Sequence, residues 1–225
     1  MKQNKIWAVI PARNEERNIS KVVRNAKKHV SHVVLVDDGS TDNTALFGGK
    51  AGAIVLKHVV NLGKGAALKT GCDFAVKKGA KFIVVLDADA QHNPEDIPRF
   101  AQKLEKYDIV FGHRKPSSKM PFIFRFGNRF ISSAAKFLYG ISLNDTQCGF
   151  RAFSKEAYRK IRWNSIDYSM ESEMIARAGR QRLKYVQIPI QTIYSDRYKG
   201  TTVLDGMKIV LNMAWWKLFK FNGKR

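Results

Sequence analysis

The chain has 225 residues, 44% of them hydrophobic, enough for one sizeable core and too apolar for a disordered protein. Forty Lys and Arg against nineteen Asp and Glu leave a formal net charge of +21, which calls for an anionic partner such as nucleic acid, nucleotide phosphates or an acidic membrane face. The two cysteines, Cys72 and Cys148, form no CxxC or Cys/His cluster, which excludes a disulfide framework or zinc site, and no apolar run approaches the ~18 residues of a spanning helix.

The chain opens with "IWAVIP", an apolar stretch too short and too soon followed by charge to be a signal peptide, so it reads as a first strand. "EERNISKVVRNAKKH" has helical periodicity, "HVVLVDDGS" and "AIVLKHV" read as strands, "GAALKTGCDFAVKKG" as a helix and "FIVVLDAD" as another strand. This βαβα rhythm predicts an α/β protein with a mostly parallel, Rossmann-like sheet covered by helices on both faces. Such sheets bind ligands beyond the carboxyl ends of their strands, where this chain carries "PARNEE", "DDGSTDNT" and "DADAQ".

Beyond the strand "DIVFGHRK" the character changes. No acidic residue occurs from Ile109 to Asn144, and Phe122, Phe126, Phe130 and Phe137 recur at near-helical spacing among Arg125, Arg129 and Lys136. That pattern predicts a basic amphipathic helix, facing either the core or a membrane surface. A strand in "GFRAFS", short helices around "KEAYRKI" and "ESEMIARAGR", a strand in "KYVQIPIQTIY" and a loop "SDRYKGTT" follow. The end, "VLDGMKIVLNMAWWKLFKFNGKR", mixes Trp215, Trp216, Phe219 and Phe221 with lysines, a composition suited to the headgroup zone of a bilayer. Neither repeats nor low-complexity linkers interrupt the chain, so residues 1–225 read as a single domain, with 1–115 as a nucleotide-sugar-binding half and 116–225 as an acceptor-binding half that ends in an amphipathic helix.

The chemistry concentrates in "VVLDADAQHN". Two carboxylates on one short turn repel unless a cation or proton intervenes, and a hard divalent ion such as Mg²⁺ or Mn²⁺ removes that cost through oxygen ligands. On an extended strand end Asp87, Asp89 and Gln91 would point the same way, while a strand-end loop that merely caps the helix near "NPEDIPRF" is the competing reading. Asp38 could accept from a nucleobase or ribose, and Asp37, Ser40 or Thr41 could equally cap a helix. "NLGKGAALKTG" places glycines and Lys64 ahead of a helix, a contact for an anionic ligand without a complete P-loop.

In this order and spacing, "IPARNEERNI", "VDDGSTDNT", "NLGKGAALKTG", "VVLDADAQHNPEDIP", "DIVFGHR" and "TQCGFRAF" resemble the family 2 inverting glycosyltransferases of GT-A fold, most closely the dolichyl-phosphate mannose or glucose synthases. The resemblance runs from about Ile6 to Thr202. It implies Pro11, Arg13 and Glu15 around the nucleotide, Val36 and Asp38 at base and ribose, and Lys64, Asp87, Ala88 and Asp89 at the donor's ribose and diphosphate. Asp89, Gln91 and Asp87 would hold Mg²⁺ or Mn²⁺, with Asp87 serving metal or nucleotide. Arg114, Arg129 and Arg197 would surround the donor and acceptor phosphates. Glu171 or Glu173 falls where the family often has a glutamate. Two departures are Arg13, where relatives carry an aromatic or small residue, and "YKGTTV", where relatives often carry a Ser-Lys pair.

The implied reaction moves a hexose, mannose from GDP-mannose in the first instance, onto a polyprenyl or dolichyl phosphate with inversion. A phosphate monoester is largely a dianion at neutral pH and attacks without a strong general base, which suits a chain offering arginines. The implied partners are a nucleotide-sugar donor, a polyprenyl phosphate, the anionic membrane surface at the cytoplasmic face and an integral-membrane protein. The alternatives are transfer from UDP-glucose or to a sugar hydroxyl, which would need a base and in polymer-forming members a QxxRW motif where this chain has "RKIRW". A nucleic-acid-binding module is remoter, since no helix-turn-helix, RNP or KH signature is visible and no nucleic acid partner is expected. A scaffold that kept the fold and lost activity is countered by the intact DAD.

Overall fold

A computed structural model describes residues 6–114, 122–191 and 203–219. The expectations placed on Arg197 and on the 195–202 loop lie outside the described residues. Seven strands, β1 (Ile6–Ala12), β2 (His32–Asp38), β3 (Ile54–His58), β4 (Phe82–Val85), β5 (Ile109–Arg114), β6 (Arg151–Ser154) and β7 (Tyr185–Ile190), form one sheet in the order β3-β2-β1-β4-β6-β5-β7. All pairings are parallel except the two made by β6, which runs against β4 and β5. Mixed α/β architecture and a mostly parallel sheet are therefore as expected. The reversed β6 matters for function, because it starts where its neighbours end: Arg151 pairs with Val85 of β4 and Phe111 of β5.

The helices are α1 (Glu16–Lys27), α2 (Thr44–Lys50), α3 (Lys64–Lys77), α4 (Ile97–Lys103), α5 (Phe122–Tyr139), α6 (Lys155–Ile161), α7 (Met170–Arg180) and α8 (Val203–Leu218). Alternation along the strands sends side chains into two cores. On one face Ile6, Ala8, Ile10, Val33 and Leu35 meet Ile19, Val22, Val23 and Ala26 of α1 and Phe100 of α4. The spacing of those α1 positions is the apolar stripe of an amphipathic helix. On the other face Trp7, Val9, Val34, Val36 and Phe111 meet α3, α5, α7 and α8 through Leu68, Cys72, Ile131, Met174 and Met213.

The basic helix α5 packs one side into the core and leaves another exposed. Ile131, Ala135 and Tyr139, at i, i+4 and i+8, are buried. Phe130 and Phe137 are exposed, the latter to 90%, as are Arg129 and Lys136. The phenylalanine stripe is thus not the packing stripe at the positions where the structure describes it. Tyr139 also donates its hydroxyl proton to the Met213 carbonyl at 2.6 Å, tying α5 to α8.

One helix, α2, is not expected from the sequence, because Gly48 and Gly49 disfavour helix. A Cβ at Gly48 would sit 2.1 Å from Leu35 Cδ2, so the close approach of α2 to the sheet demands the glycine that hides the helix. Gly71 plays the same part in α3, where a Cβ would lie 2.4 Å from Val9 Cγ1 and 2.9 Å from Val36 Cγ2. Both valines are fixed on central strands. Gly71→Ala gains about 1 kcal/mol of helix propensity but overpacks this contact at about 1–3 kcal/mol. We expect a net loss of stability in urea denaturation; an unchanged or raised midpoint would contradict this packing.

Candidate active site

The carboxyl edge of the sheet is closed first by two loops that bond to each other. The loop after β1 carries Asn14 at φ 55, a left-handed conformation that asparagine tolerates. Its N–H groups donate to the loop after β2: Asn14 to Ser40 Oγ (3.0 Å), Glu15 to Thr44 Oγ1 (2.7 Å) and Glu16 to Asp42 Oδ2 (3.2 Å). Thr41 N–H returns to Asn14 Oδ1 at 2.9 Å. The polar residues of "STDNT" are thus engaged in this stitching. Asp38 is buried and accepts from His58 Nδ1 (2.7 Å), Leu62 N–H (2.9 Å) and Gly63 N–H (2.8 Å), fixing the approach to α3. A carboxylate offers about four acceptor positions, so three are taken by the protein itself.

The glycines ahead of α3 do not form a phosphate cradle. Gly65 and Ala66 donate their N–H groups to the Ile166 carbonyl at 2.8 and 3.2 Å. Cβ atoms at Gly63 and Gly65 would each come within 2.4 Å of a carbonyl oxygen of the 165–166 segment. Trp163, fully buried, donates Nε1–H to the Gly65 carbonyl at 2.8 Å. The segment is held in turn by Glu173, whose carboxylate accepts the N–H groups of Asn164 and Ser165, the Ser165 hydroxyl at 2.6 Å and Arg177 Nε at 2.7 Å. Glu173 therefore supports the loop.

Glu171, two positions earlier on α7, faces the site. Lys64 Nζ lies 2.8 Å from Asp87 Oδ1 and 3.0 Å from Glu171 Oε1, bridging carboxylates from opposite sides of the edge. Burial opposes the ammonium, but the charges of Asp87 and Glu171 outweigh it and raise the Lys64 pKa above its ordinary value. Burial likewise pushes Asp87 up, and the Lys64 charge and hydrogen bond more than reverse this, bringing it down to about 2. Glu171 Oε2 is buried without a hydrogen-bond partner.

The DAD turn itself departs from the extended geometry. β4 stops at Val85, residues 88–90 turn with Ala90 at φ 60, and Gln91 N–H closes the turn on Asp89 Oδ1 at 3.0 Å. The strand alternation that would align Asp87, Asp89 and Gln91 thus ends before Asp87. Ala88 is buried in the core on the α1 side of the sheet. His92, unassigned in the sequence, supports this turn from below: buried, 5.5 Å ring to ring from Phe150, it accepts the Asp87 N–H at Nδ1 (3.2 Å). That bond makes Nδ1 the unprotonated nitrogen, in keeping with the lowering of its pKa by burial. Just ahead of β6, Gly149 approaches so closely that a Cβ would lie 2.5 Å from Asp87 Oδ2.

Arg114, at the end of β5, is gripped by Asp145: Nε to Oδ2 at 2.6 Å and Nη2 to Oδ1 at 3.1 Å. Burial raises the Asp145 pKa, but the Arg114 charge and hydrogen bonds hold it below the ordinary carboxylate value. This bidentate grip orients the guanidinium plane, a function the sequence did not reveal because Asp145 lies in no recognised acidic pattern. Arg151 is fully buried and donates to the carbonyls of Cys148 (2.9 Å), Thr146 (2.7 Å) and Glu171 (2.9 Å), linking the 145–149 segment to α7.

The structure therefore gathers Lys64, Asp87, Asp89 and Gln91 on one edge with Arg114, Asp145 and Glu171. Pro11, one residue before the end of β1, pairs with Val36, whose side chain lies in the core, while Arg13 is exposed and Glu15 accepts from Asn18 Nδ2 at 3.0 Å. Arg129 is exposed on α5, and no described contact joins it to this cluster. Ionised Asp87 beside half-buried Asp89 suits a divalent ion held by one or two carboxylates and completed by phosphate oxygens. No three His, Cys, Asp or Glu gather into a closed metal cage among the described residues. Burial pushes the Cys148 thiol up to about 12 and the Cys72 thiol well above its ordinary value, so neither is a nucleophile.

Comparison with known proteins bears on the family and the fold. The family model described as glycosyl transferase family 2 matches residues 7–162. An uncharacterised protein of Methanocaldococcus jannaschii is 37% identical, over 96% of this chain and 94% of its own. The UDP-N-acetylglucosamine–dolichyl-phosphate N-acetylglucosaminyltransferase of Methanococcus voltae is 33% identical, over 96% and 97%. The polyprenol monophosphomannose synthase of Mycolicibacterium smegmatis is 27% identical, over 92% and 85%. Among solved structures, glucosyl-3-phosphoglycerate synthase of Mycobacterium tuberculosis, in complex with Mn²⁺, uridine diphosphate and glucosyl-3-phosphoglycerate, superposes with a TM-score of 0.71 at 21% identity, covering 96% of this chain and 78% of that one. That likeness establishes the GT-A type fold.

Glu173 provides a test of the support beneath the site. Removing a buried carboxylate that accepts several hydrogen bonds costs about 2–4 kcal/mol. Glu173→Ala is expected to lower the unfolding free energy measured in urea by that amount and to speed amide exchange at Asn164 and Ser165; unchanged exchange there would show that the loop is held by other means.

Proposed function

The chain belongs to glycosyl transferase family 2, and from that premise we propose that it transfers a hexose from a nucleoside-diphosphate sugar to a polyprenyl phosphate, with inversion. The observation that carries this reading is the DAD turn at the sheet edge, with ionised Asp87 and its neighbour Asp89 beside Lys64 and the oriented Arg114. Asp87 and Asp89, with Gln91 in reach of the same turn, would hold Mg²⁺ or Mn²⁺; bound there, the ion supplies neutralisation of charge developing on the leaving diphosphate. Arg114, its plane set by Asp145, is proposed to face the phosphate oxygens. Arg129 and Arg197 are proposed to hold the acceptor phosphate, and Pro11, Arg13, Glu15, Val36 and Asp38 to line the nucleotide.

The acceptor reading is supported by the names of full-length relatives from Methanococcus voltae and Mycolicibacterium smegmatis, which act on dolichyl and polyprenol phosphates. They differ in the sugar, so GDP-mannose and UDP-N-acetylglucosamine are the two donors to set against each other. A phosphate dianion attacks the anomeric carbon in a single displacement and inverts it, and no side chain need remove a proton. The protein's task is then alignment of two like-charged phosphates.

An amphipathic face would bring the enzyme to its lipid. Met207, Leu211, Trp215, Leu218 and Phe219 are exposed along one side of α8, at successive intervals of four, four, three and one, and Phe130 and Phe137 are exposed on the neighbouring α5. Exposed Arg129, Lys136, Lys208 and Lys217 flank them. No described helix is long and apolar enough to cross a membrane. We place this face on the anionic, cytoplasmic leaflet, where each Lys or Arg contributes about 1 kcal/mol.

Two experiments check these assignments. Purified protein incubated with Mn²⁺ or Mg²⁺, a short polyprenyl phosphate and radiolabelled GDP-mannose, UDP-N-acetylglucosamine or UDP-glucose should yield one labelled lipid. Asp89→Ala should reduce that product by about a hundredfold or more. Near-normal turnover in Asp89→Ala, or label appearing only on a sugar hydroxyl, would refute the metal or the acceptor respectively. Trp215→Ala with Phe219→Ala should weaken co-sedimentation with phosphatidylserine vesicles; equal binding would move the membrane contact elsewhere.

A further inference from the structure

Three features of the edge are not absorbed by the transfer reaction: an ammonium where a metal would neutralise Asp87, a second carboxylate on that ammonium, and a carboxylate oxygen buried with nothing to accept. They form one chain, Asp87 Oδ1 to Lys64 Nζ at 2.8 Å, Lys64 Nζ to Glu171 Oε1 at 3.0 Å, and then the unpartnered Oε2. A buried acceptor without a donor is costly, about 1–3 kcal/mol, and persists where another state of the protein uses it.

Resting on the metal site proposed above, we infer that Lys64 is an exchangeable counter-ion. In the empty site it neutralises Asp87, and when a divalent cation takes Asp87 it moves onto Glu171, whose vacant oxygen receives it. Glu171 is in this sense a positioning residue: it acts on the metal site through Lys64.

The surroundings permit this motion and little else. The backbone of Lys64 cannot follow, because Gly65 and Ala66 are bonded to Ile166 and the flanking glycines touch the 165–166 segment. Glu171 is anchored by Arg151, which holds its carbonyl at 2.9 Å, and Asp87 by His92 and by the contact with Gly149. With these backbone groups held, the exchange is carried by side-chain torsions of Lys64 and Glu171. The exposed Tyr168 ring, its centroid 5.6 Å from Nζ, gives the ammonium a further favourable surface beside Glu171. Formal charge supports retention of Lys64 over expulsion. Asp87, Asp89 and Glu171 carry three negative charges; Lys64 and a divalent ion together carry three positive ones.

Binding of Mn²⁺ alone to the nucleotide-free protein, followed by isothermal titration calorimetry, tests the exchange without requiring turnover. Lys64→Gln removes the competitor and should tighten Mn²⁺ on the order of tenfold. Glu171→Gln removes the place to which Lys64 withdraws and should weaken Mn²⁺ by a similar factor. The deciding variant is the double one: since Glu171 acts through Lys64, Lys64→Gln/Glu171→Gln should match Lys64→Gln. Additive effects would mean that Glu171 touches the metal or acts through space, and an unchanged or weakened affinity in Lys64→Gln would remove the competition; either result overturns the inference. Nζ-detected NMR of the wild type gives an independent reading in which no variant need fold. Mg²⁺ should shift the Lys64 ammonium signal while leaving it protected from exchange; a signal that stays put, or is lost to solvent exchange, contradicts the transfer to Glu171. The expected binding pattern in a protein that transfers no sugar would sink the proposed reaction and leave this exchange standing. Turnover with Mn²⁺ affinity unmoved by Lys64→Gln would do the reverse.

Discussion

Asp87 and Glu171 meet at one ammonium, and the repulsion between their carboxylates is the force that the surrounding fold must overcome. The two come from distant parts of the chain, the end of β4 and the first turn of α7. Neither would be stable buried and ionised beside the other in the absence of Lys64, since isolated buried charge is among the most expensive features a protein can carry. Lys64 can serve both only because it opens α3 at a fixed point, and that point is set by Asp38 on one side and the 163–166 segment on the other. The carboxylate at the end of β2, the indole of Trp163 and the network around Glu173 therefore converge on the placement of one nitrogen.

The reversal of β6 is the second condition. A parallel strand in its place would have delivered its starting residues to the opposite edge of the sheet. Running against β4 and β5, it brings the 146–149 segment to the ends of those strands, with Gly149 close against Asp87, and places Asp145 against Arg114. Arg151 then spends its donors on three carbonyls. A guanidinium with this geometry locks segments together; it is not available to a ligand, although its charge sign alone would have suggested a phosphate contact.

Much of this organisation is legible in the sequence because it rests on periodicity. Two-sided strands such as "IWAVI" and one-sided helices such as α1 announce themselves through spacing, and the strand-end position of "DADAQ" follows from them. What periodicity does not encode is which polar residues find each other. Asp38 reads as a ligand contact yet spends three acceptor positions on the chain. Glu171 and Glu173 are indistinguishable in "MESEM", and only packing turns one toward Lys64 and the other toward Asn164 and Ser165. Asp145 lies outside the quoted motifs, and His92, though inside "VVLDADAQHNPEDIP", has no role readable there; their roles exist only once β5, β6 and the DAD turn are side by side. α2 was hidden because the glycine that makes its packing possible is the residue that argues against a helix.

The net charge of +21 is a separate matter from the chemistry of the edge. The cations described there are each held by carboxylates: Lys64 by Asp87 and Glu171, Arg114 by Asp145, Arg177 by Glu173. Surplus cations lie instead on outer faces, as with exposed Arg17, Lys21, Arg24, Lys27 and Lys28 along α1 and Arg129, Lys136, Lys208 and Lys217 on α5 and α8. Charges so placed act over a Debye length of roughly 8–10 Å and concentrate an anionic surface or substrate near the protein. They cannot set the protonation or alignment of groups at the sheet edge, where short contacts between buried charges dominate. For the proposed reaction a division of labour follows: diffuse exposed charge would draw the anionic partner in, and a net-negative cluster, one divalent ion short of balance, would act on its phosphates.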